Sequence, residues 1–396
     1  MLNIGINGLG RIGKCIFLQL INDESVSIKA ININQLSIYD LQKYINYDSI
    51  HKKNQYKVLI FENNYVGIGI HKIKIFQTKN HDELTWKNEN VNYLLECSGA
   101  YLTSDKAKLH DVDYLIMSAP PKDILHTPVY CFGVNHNNYN GEKIISNASC
   151  TTNCITPFLK YLNNYDISSG SFITVHSATS SQTIVDNANG TKRTNRSIFN
   201  NIIPHTTGAS KCIDILIPEL KNKVKGTSVR VPTSNVSMID LNVEFKNKVS
   251  KELILSNISE INSEVIEINK DNAVSSDFIG NKKPSILDYN STIQISDKII
   301  KFTLWYDNEW SYASQMILMT KHMDQYNNKT KLNNPHHICF KNKTVLVRCD
   351  YNCPVDENNQ IQDFFRIESS LPTLKKILFD KPKHLIIMTH FGRPQQ

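Results

Sequence analysis

The residues best placed to do chemistry lie in the stretch Ser146-Asn147-Ala148-Ser149-Cys150-Thr151-Thr152-Asn153-Cys154. It follows the strand-like Lys143-Ile144-Ile145 and precedes an apolar, helix-like run over 155–162. Ser149 fits a helix N-cap, which puts Cys150 in the first turn. There, free backbone N–H groups and the positive end of the helix dipole favour an anion, so a thiol sheds its proton more easily and becomes a nucleophile. Position alone does not separate this reading from a buried structural cysteine, because the chain holds nine cysteines.

A second constellation opens the chain. Leu2-Asn3-Ile4-Gly5-Ile6 alternates like a strand, and Gly8-Leu9-Gly10-Arg11-Ile12-Gly13 turns it into the helix-like run 14–21. In such a turn Gly8 and Gly10 allow close approach to a pyrophosphate, Gly13 lets helix and strand pack, and the helix N-terminus receives negative charge. A second strand follows at 26–31. An acidic residue is expected about 20 residues past the glycines to hold the adenosine ribose, but this strand ends Ala30-Ile31-Asn32-Ile33-Asn34. An Asp there accepts from the ribose 2′-hydroxyl and repels a 2′-phosphate, so its absence removes a barrier to NADP. Asn34 either donates or accepts nearby or is a solvent-facing loop residue. Two further strands, 92–97 and 113–117, end at Ser98 and Ser118, on the side where a cofactor lies in parallel sheets.

The elements after Cys150 change texture. The runs 171–176, 227–231, 238–243 and 299–305 read as strands, and 251–261 carries Ile254, Ile258 and Ile261 at helical spacing. The interval 183–201 is polar, holds Lys192, Arg193 and Arg196, and reads as a long functional loop. A helix is expected through Met323.

Composition bounds the function classes. The chain has 396 residues, 40% of them hydrophobic, and a mean hydropathy of −0.33, which fits two or three soluble domains. No apolar run approaches the ~20 residues of a membrane span, and no signal peptide is evident at the N-terminus. Scattered, odd-numbered cysteines suggest reduced thiols in the cytoplasm, and no Cys/His cluster has zinc spacing, so no metal is expected. The net charge of +7 is mild and no basic stripe with interleaved aromatics occurs, so no nucleic-acid partner is expected.

Residues 1 to about 326 resemble glyceraldehyde-3-phosphate dehydrogenase along their whole length. The matching words are Ile6-Asn7-Gly8-Leu9-Gly10-Arg11-Ile12-Gly13, Tyr47-Asp48-Ser49, Ser118-Ala119-Pro120, Gly133-Val134-Asn135-His136, the stretch 149–154, Thr174-Val175-His176, Asn201-Ile202-Ile203-Pro204, Arg230-Val231-Pro232-Thr233 and Trp305-Tyr306-Asp307-Asn308-Glu309. The resemblance implies Cys150 as nucleophile and His176 as the base that activates it. It implies phosphate sites built from Ser149, Thr151, Thr179, Arg196, Thr207, Gly208 and Arg230, and cofactor contacts from Arg11, Ile12, Ser98, Ser118 and Asn308 beside the glycines. The implied reaction is phosphorylating oxidation of D-glyceraldehyde 3-phosphate to 1,3-bisphosphoglycerate through a cysteine hemithioacetal and thioester. NAD is the family's default cofactor, and Ile33, in place of the usual Asp, leaves NADP open. Ser197 replaces a usual glycine, and Trp310-Ser311 replaces an aromatic-glycine pair. A homotetramer in the cytoplasm is implied.

The tail resembles the start of phosphoglycerate kinase. Strand-like 343–348, a helix led by Arg366-Ile367-Glu368 and strand-like 384–389 carry the match. Arg348, Asp350, Asn352, Arg366, His390 and Arg393 correspond to that family's 3-phosphoglycerate patch and its neighbours. Such a strand-helix-strand unit has open edges and little core, and it is expected to have no kinase activity alone.

The expected fold class is therefore α/β. A Rossmann-type NAD(P)-binding domain spans 1–149 plus 311–326, and an α+β catalytic domain with a mostly antiparallel sheet spans 150–310. A linker occupies 327–337, and a βαβ fragment of a second α/β fold occupies 338–396. The alternatives are an erythrose-4-phosphate dehydrogenase, or a non-catalytic scaffold with a degenerate tail; intact Cys150, His176 and Arg230 speak against the scaffold.

Overall fold

The computed structural model describes the chain apart from residues 189–191, 260–262, 334–337, 358–359 and 391–396, with backbone only at 329–333. It forms two compact units, Met1–Met323 and Asp324–Gln396.

In the first unit, strands with apolar residues on both faces build a central parallel sheet. β1 (Leu2–Asn7) leads through the glycine turn into α1 (Arg11–Leu20), and β2 (Val26–Asn32) returns beside β1. The short helix α2 (Leu41–Asn46) precedes an antiparallel edge of β3 (Val58–Phe61), β4 (Tyr65–Ile68) and β5 (His71–Phe76). β6 (Tyr93–Glu96), the single-turn α3 (Ser104–Ala107), β7 (Tyr114–Met117) and β8 (Ile144–Ser146) complete it, in the order β3-β4-β5-β2-β1-β6-β7-β8. The order reverses at β1, so the carboxyl ends of β1, β2 and β6 open a crevice there. Trp86, fully buried under this sheet among Ala30, Leu94 and Met117, donates its indole N–H to His110 at 3.1 Å.

α4 (Cys150–Leu162) joins this sheet to a second one. That sheet comprises β9 (Ile167–His176), β10 (Ile203–His205), β11 (Val224–Arg230), β12 (Ser237–Phe245), β13 (Ile266–Asn269), β14 (Ser285–Ser296) and β15 (Ile299–Tyr306), with α5 (Ala209–Leu216) and α6 (Lys251–Ser259) between strands. Its order is β10-β11-β9-β12-β15-β14-β13, antiparallel except at β11–β9 and β13–β14. Phe158, Leu159 and Leu162 of α4 pack with Ile213, Ile254, Ile258, Phe302 and Leu304 into its main core. Among its described residues, the polar interval 183–201 holds a single turn at Arg193–Asn195 and a bridge between Thr183 and Ser197.

α7 (Trp310–Asn333) corrects one boundary. A helix to Met323 and a linker from 327 were expected, yet the helix continues to Asn333. Nothing from 324 to 333 is Gly or Pro, and the first breaker is Pro335, so the polar residues extend the helix instead of ending it. Residues 334–337 of that linker lie outside the described residues.

The second unit holds β16 (Thr344–Arg348), α8 (Phe365–Phe379) and β17 (His384–Met388), with the strands paired in parallel. Leu374 and Ile377 of α8 are buried, whereas Leu346, Ile386, Ile387 and Met388 remain exposed.

The glycine turn gives a direct test of packing. A Cβ on Gly13 would lie 2.0 Å from the carbonyl oxygen of Gly8, whereas a Cβ on Gly10 meets nothing within 4 Å. Gly13→Ala must therefore separate α1 from β1, costing about 2–3 kcal/mol, and is expected to lower the melting temperature by about 5 °C or more. Gly10→Ala is expected to leave it within about 1 °C, so thermal denaturation of the two variants checks the assignment.

Candidate active site

Cys150 is held at a helix start by a strained turn. β8 ends at Ser146, and Ala148 adopts a left-handed conformation at φ 56°, uncommon for a residue with a side chain. Both sides of that turn are tied down. The N–H of Ala148 donates to Ser146 Oγ at 3.0 Å, and Tyr312 donates its hydroxyl to the carbonyl of Ala148 at 2.8 Å. Asn153 Nδ2 donates to the carbonyls of Asn147 and Ser149 at 2.8 and 3.0 Å. Ser149 caps α4, its hydroxyl accepting from the N–H of Thr152 at 3.1 Å. Cys150 is then the first helical residue.

Strand register brings the partners to it. His176 and Arg230 end β9 and β11 and are paired residues of those parallel strands. Ser237 starts β12 opposite Tyr306 at the end of β15, so four strand ends meet at one rim of the sheet. His176 is buried, with Nε2 3.5 Å from Cys150 Sγ. Its Nδ1 lies 2.9 Å from the Ser177 carbonyl and 2.6 Å from Arg230 Nη1, which itself donates to that carbonyl at 3.2 Å. A guanidinium can only donate, so in this arrangement Nδ1 accepts and the ring proton faces the sulfur. With Arg230 turned to an anion instead, Nδ1–H donates to Ser177 and Nε2 presents its lone pair to the thiol.

Electrostatics corrects the expectation of an easily ionised thiol. Burial, the largest influence, pushes the Cys150 thiol up because protein has replaced the water that would solvate a thiolate. Arg230 and the N–H of Thr151 act in the opposite direction. Cys154, fully enclosed, is pushed much further. Burial and the neighbouring Arg230 lower His176 to about 4, so above that pH the imidazole is neutral and available as a base. Burial lowers Arg230 from its usual range as well. Its Nε is buried without a partner, which leaves donor capacity for an anion.

The expected phosphate residues divide into two groups. Thr151 is buried and its hydroxyl pairs with Tyr306 at 3.0 Å, which also pairs with Thr174 at 2.8 Å, so Thr151 is turned into the fold. Ser149 Oγ is similarly engaged with Thr152 Oγ1 at 2.8 Å. Thr179 bonds to Ser181 and Gln182 at 3.0 Å each. Thr207 accepts from the N–H of Ala209 at the start of α5, beside exposed Gly208. Arg196 stands apart on the surface, paired with Asp186 at 2.9 Å. Tyr306, Ser177 and Ser237 were not singled out from sequence, although Tyr306 sits inside a quoted motif.

The cofactor side fits a dinucleotide. A cleft of about 660 Å³ is lined by Gly8, Gly10, Ile33, Asn34, Ser98 and neighbouring residues. α1 follows its N-cap Gly10 with no side-chain cap and no acid in its first turn, leaving its N–H groups for an anion. Gly8 has φ 96°, and a Cβ there would lie 2.8 Å from the backbone of Ser98. Ser98 donates to Glu96 through its N–H at 2.8 Å, and Ser118 donates its N–H to the Glu96 carbonyl at 2.9 Å. Asn308 Oδ1 accepts from Ser177 and Ser237 at 2.9 Å each, which fixes the amide and leaves Nδ2 to donate. The Arg11 side chain does not face the cleft. It bonds Asp48 and Glu309 at 2.6 Å each, so only the backbone of Arg11 and Ile12 remains for a cofactor. Among the described residues, Cys15, His51 and Glu309 bring potential metal donors within 4.8 Å of one another. Glu309 already accepts from Arg11 and His51, and burial pushes the Cys15 thiol up, so the trio is spent on structure.

In the second unit, Asp350 bonds Arg366 at 2.5 Å and accepts from the N–H of Asn352 at 3.2 Å, with exposed His390 nearby. Arg348 is exposed at the end of β16. Arg393 lies outside the described residues.

Comparison with known proteins agrees with this layout. Residues 2–104 match the family model "Glyceraldehyde 3-phosphate dehydrogenase, NAD binding domain", and 149–308 match "Glyceraldehyde 3-phosphate dehydrogenase, C-terminal domain". Residues 336–396 match the phosphoglycerate kinase model. Glyceraldehyde-3-phosphate dehydrogenase B of Aspergillus oryzae is 35% identical over 329 residues, covering 81% of this chain and 97% of the relative. The enzyme of Colletotrichum lindemuthianum is 36% identical over 331 residues, with coverage of 81% and 97%. The cytosolic enzyme of Taxus baccata is 34% identical over 334 residues, with coverage of 82% and 97%.

The electrostatics can be tested without substrate. Arg230→Ala removes the cation that favours the thiolate, so the pH midpoint of inactivation by iodoacetamide is expected to rise by about one unit. At neutral pH alkylation then slows about tenfold. An unchanged or lower midpoint would show that Arg230 does not act on the sulfur.

Proposed function

This chain belongs to the glyceraldehyde-3-phosphate dehydrogenase family, and from that membership we propose how its residues divide the reaction. The chain is an NAD-dependent, phosphorylating glyceraldehyde-3-phosphate dehydrogenase that takes the aldehyde and inorganic phosphate to 1,3-bisphosphoglycerate. The observation that carries the assignment of roles is the 3.5 Å approach of Cys150 Sγ to His176 Nε2 at the start of α4.

His176 Nε2 accepts the thiol proton as Sγ bonds to the aldehyde carbon and returns it to the carbonyl oxygen, giving a hemithioacetal and a neutral imidazole. Bound NAD supplies the hydride acceptor. His176 takes the hydroxyl proton as the carbon is oxidised, which leaves a thioester on Cys150. Phosphate oxygen then attacks the thioester carbonyl, the carbon–sulfur bond breaks, and the acyl phosphate departs as the thiolate is regenerated. Arg230 binds a phosphate with its unpartnered donors, and in doing so leaves His176 Nδ1 free to donate to Ser177. Thr179, Thr207 and Gly208 complete the phosphate sites, with the backbone N–H groups of Ser149 and Thr151; Arg196 joins them only by leaving Asp186. Gly8, Gly10, Gly13, Arg11 and Ile12 receive the pyrophosphate through backbone, Ser98 and Ser118 border it, and Asn308 Nδ2 holds the nicotinamide carboxamide.

We further propose a homotetramer in the cytoplasm. No helix among the described residues is long and apolar enough to cross a membrane. Ile184, Val185 and Phe199 of the polar loop, Ile202 just after it, and Ile173, Ile293 and Ile295 of the second sheet are exposed, which supports contact between copies. The domain division at Cys150, with the last helix returning to the first sheet, is part of the same reading. The kinase-like unit adds no phosphoryl transfer of its own: a two-stranded parallel sheet is stable when both faces are covered, and one face here remains apolar and open.

Cys150→Ser is expected to reduce turnover by roughly 10⁴-fold or more, and wild-type chain deprived of phosphate is expected to make about one reduced cofactor per site and stall at the thioester. Full activity of Cys150→Ser would overturn the mechanism, and faster turnover of erythrose 4-phosphate would favour the related dehydrogenase. Incubation of the chain with 1,3-bisphosphoglycerate and ADP is expected to form ATP no faster than the protein-free mixture.

A further inference from the structure

Among the described residues with a left-handed backbone, Val236 alone is β-branched. It lies just before β12 at φ 66°, where a branched Cβ is crowded and where glycine or asparagine costs less. Its neighbour Asn235 is 3% exposed, and neither polar atom of its amide has a partner among the described residues. Two costs therefore fall on consecutive residues, and they persist only where the surroundings hold them. Val236 is buried with Phe278 and Ile286 in a small core that Trp305 packs against. Trp305 stacks on Phe278 with ring centroids 5.6 Å apart and pairs with Ile286 across β14 and β15. β15 ends one residue later at Tyr306, opposite Ser237. An apolar anchor on the strand that leads to Asn308 thus delivers Ser237 beside it. The Ser237 hydroxyl accepts from the N–H of Ser177 at 3.1 Å and donates to Asn308 Oδ1 at 2.9 Å. A hydroxyl has one proton, so these two bonds fix which end of the Asn308 amide is the acceptor.

We infer that Val236 is a positioning residue for the nicotinamide half of the cofactor. Its left-handed backbone turns the chain into β12, and its anchored side chain keeps the turn there, so Ser237 meets Ser177 and Asn308 together. Asn308 Nδ2 is then aimed before the cofactor arrives, and binding does not have to order it. A glycine at this position would take the same φ without strain but would lack the anchor. The inference rests on reading Asn308 as the partner of the nicotinamide carboxamide.

Calorimetric titration of the full-length chain with NAD and with ADP-ribose tests it without turnover. ADP-ribose has the same adenosine and pyrophosphate but no carboxamide, so the ratio of the two affinities separates positioning from general loosening. Asn308→Ala is expected to weaken NAD about tenfold and ADP-ribose less than about twofold. Val236→Ala is expected to weaken NAD about fivefold, again with ADP-ribose changed less than about twofold. The double variant Val236→Ala/Ser237→Ala is expected to bind NAD no more weakly than the poorer single variant, because both substitutions cut one link. Equal weakening of the two ligands by Val236→Ala, no weakening of NAD, or additive losses in the double variant overturns the inference and leaves Val236 a residue of stability alone. An unchanged ratio in Asn308→Ala overturns the reading of Asn308 instead. Where Val236→Ala does not fold, Val236→Gly carries the same expectation, since glycine accepts this φ without strain.

Discussion

The dehydrogenase unit depends on the guanidinium of Arg11. It is clamped between Asp48, from the segment after α2, and Glu309, from the turn before α7, with 298 residues separating Arg11 from Glu309. Lys14 bonds the same Asp48 at 2.8 Å, and His51 bonds Glu309 at 3.0 Å. Burial opposes charge on Asp48, but the bonds from Arg11, Lys14 and the N–H groups of His51 and Ile50 outweigh it and hold the carboxyl well below its usual range. Breaking such a buried set leaves an unmatched charge, which costs far more than the pair contributes net. The cluster thus fixes the helix behind the glycine turn to the helix that closes the unit. It also explains why the Arg11 side chain does not face the cleft.

The same closing segment positions the chemistry. Asp307 is buried; its carboxylate accepts from the N–H groups of Glu309 and Trp310 at 3.0 and 2.8 Å and from Gly280 at 2.7 Å. With Asp307 as the cap of α7, Tyr306 before it reaches Thr151 and Thr174, Asn308 after it reaches Ser177 and Ser237, and Tyr312 reaches the strained Ala148. Within seven residues, one segment therefore touches the turn before Cys150, the strand that ends at His176, and the serines Ser177 and Ser237. The strain at Ala148 persists because these contacts over-determine it.

Much of this was legible in the sequence because its signals are local. The glycine spacing, the missing acid at Ile33 and the Ser149 cap of the helix at Cys150 all act over a few residues, where backbone chemistry decides the outcome. What the sequence did not disclose depends on register and burial. Pairing of His176 with Arg230 is a property of the β9–β11 ladder, and nothing in either segment announces it. Burial of Cys150, which pushes its thiol up against the helix start, depends on elements distant in sequence. The surface pairing of Arg196 with Asp186 and the inward turn of Thr151 toward Tyr306 are likewise tertiary facts. The helical course of 327–333 was missed for a different reason: polarity without a Gly or Pro does not end a helix, and no breaker occurs before Pro335.

Nine cysteines also explain why a helix start alone could not select the nucleophile. Cys131, Cys154 and Cys212 are buried in the core of the second sheet, and burial pushes each thiol up. Cys15 and Cys97 are pushed up by burial and then further by the carboxylates of Glu309 and Glu96. Cys150 experiences burial as well, but Arg230 opposes it, and among the described residues it alone has an imidazole nitrogen in hydrogen-bond contact with its sulfur. Reactivity at Cys150 is therefore not a matter of the lowest resting pKa. In the proposed mechanism it comes from the neutral His176 imidazole, which presents Nε2 to the thiol once Arg230 turns to an anion, and from a half-open position that lets a substrate carbon reach the sulfur. A helix start supplies the location; the two strand ends across from it supply the chemistry.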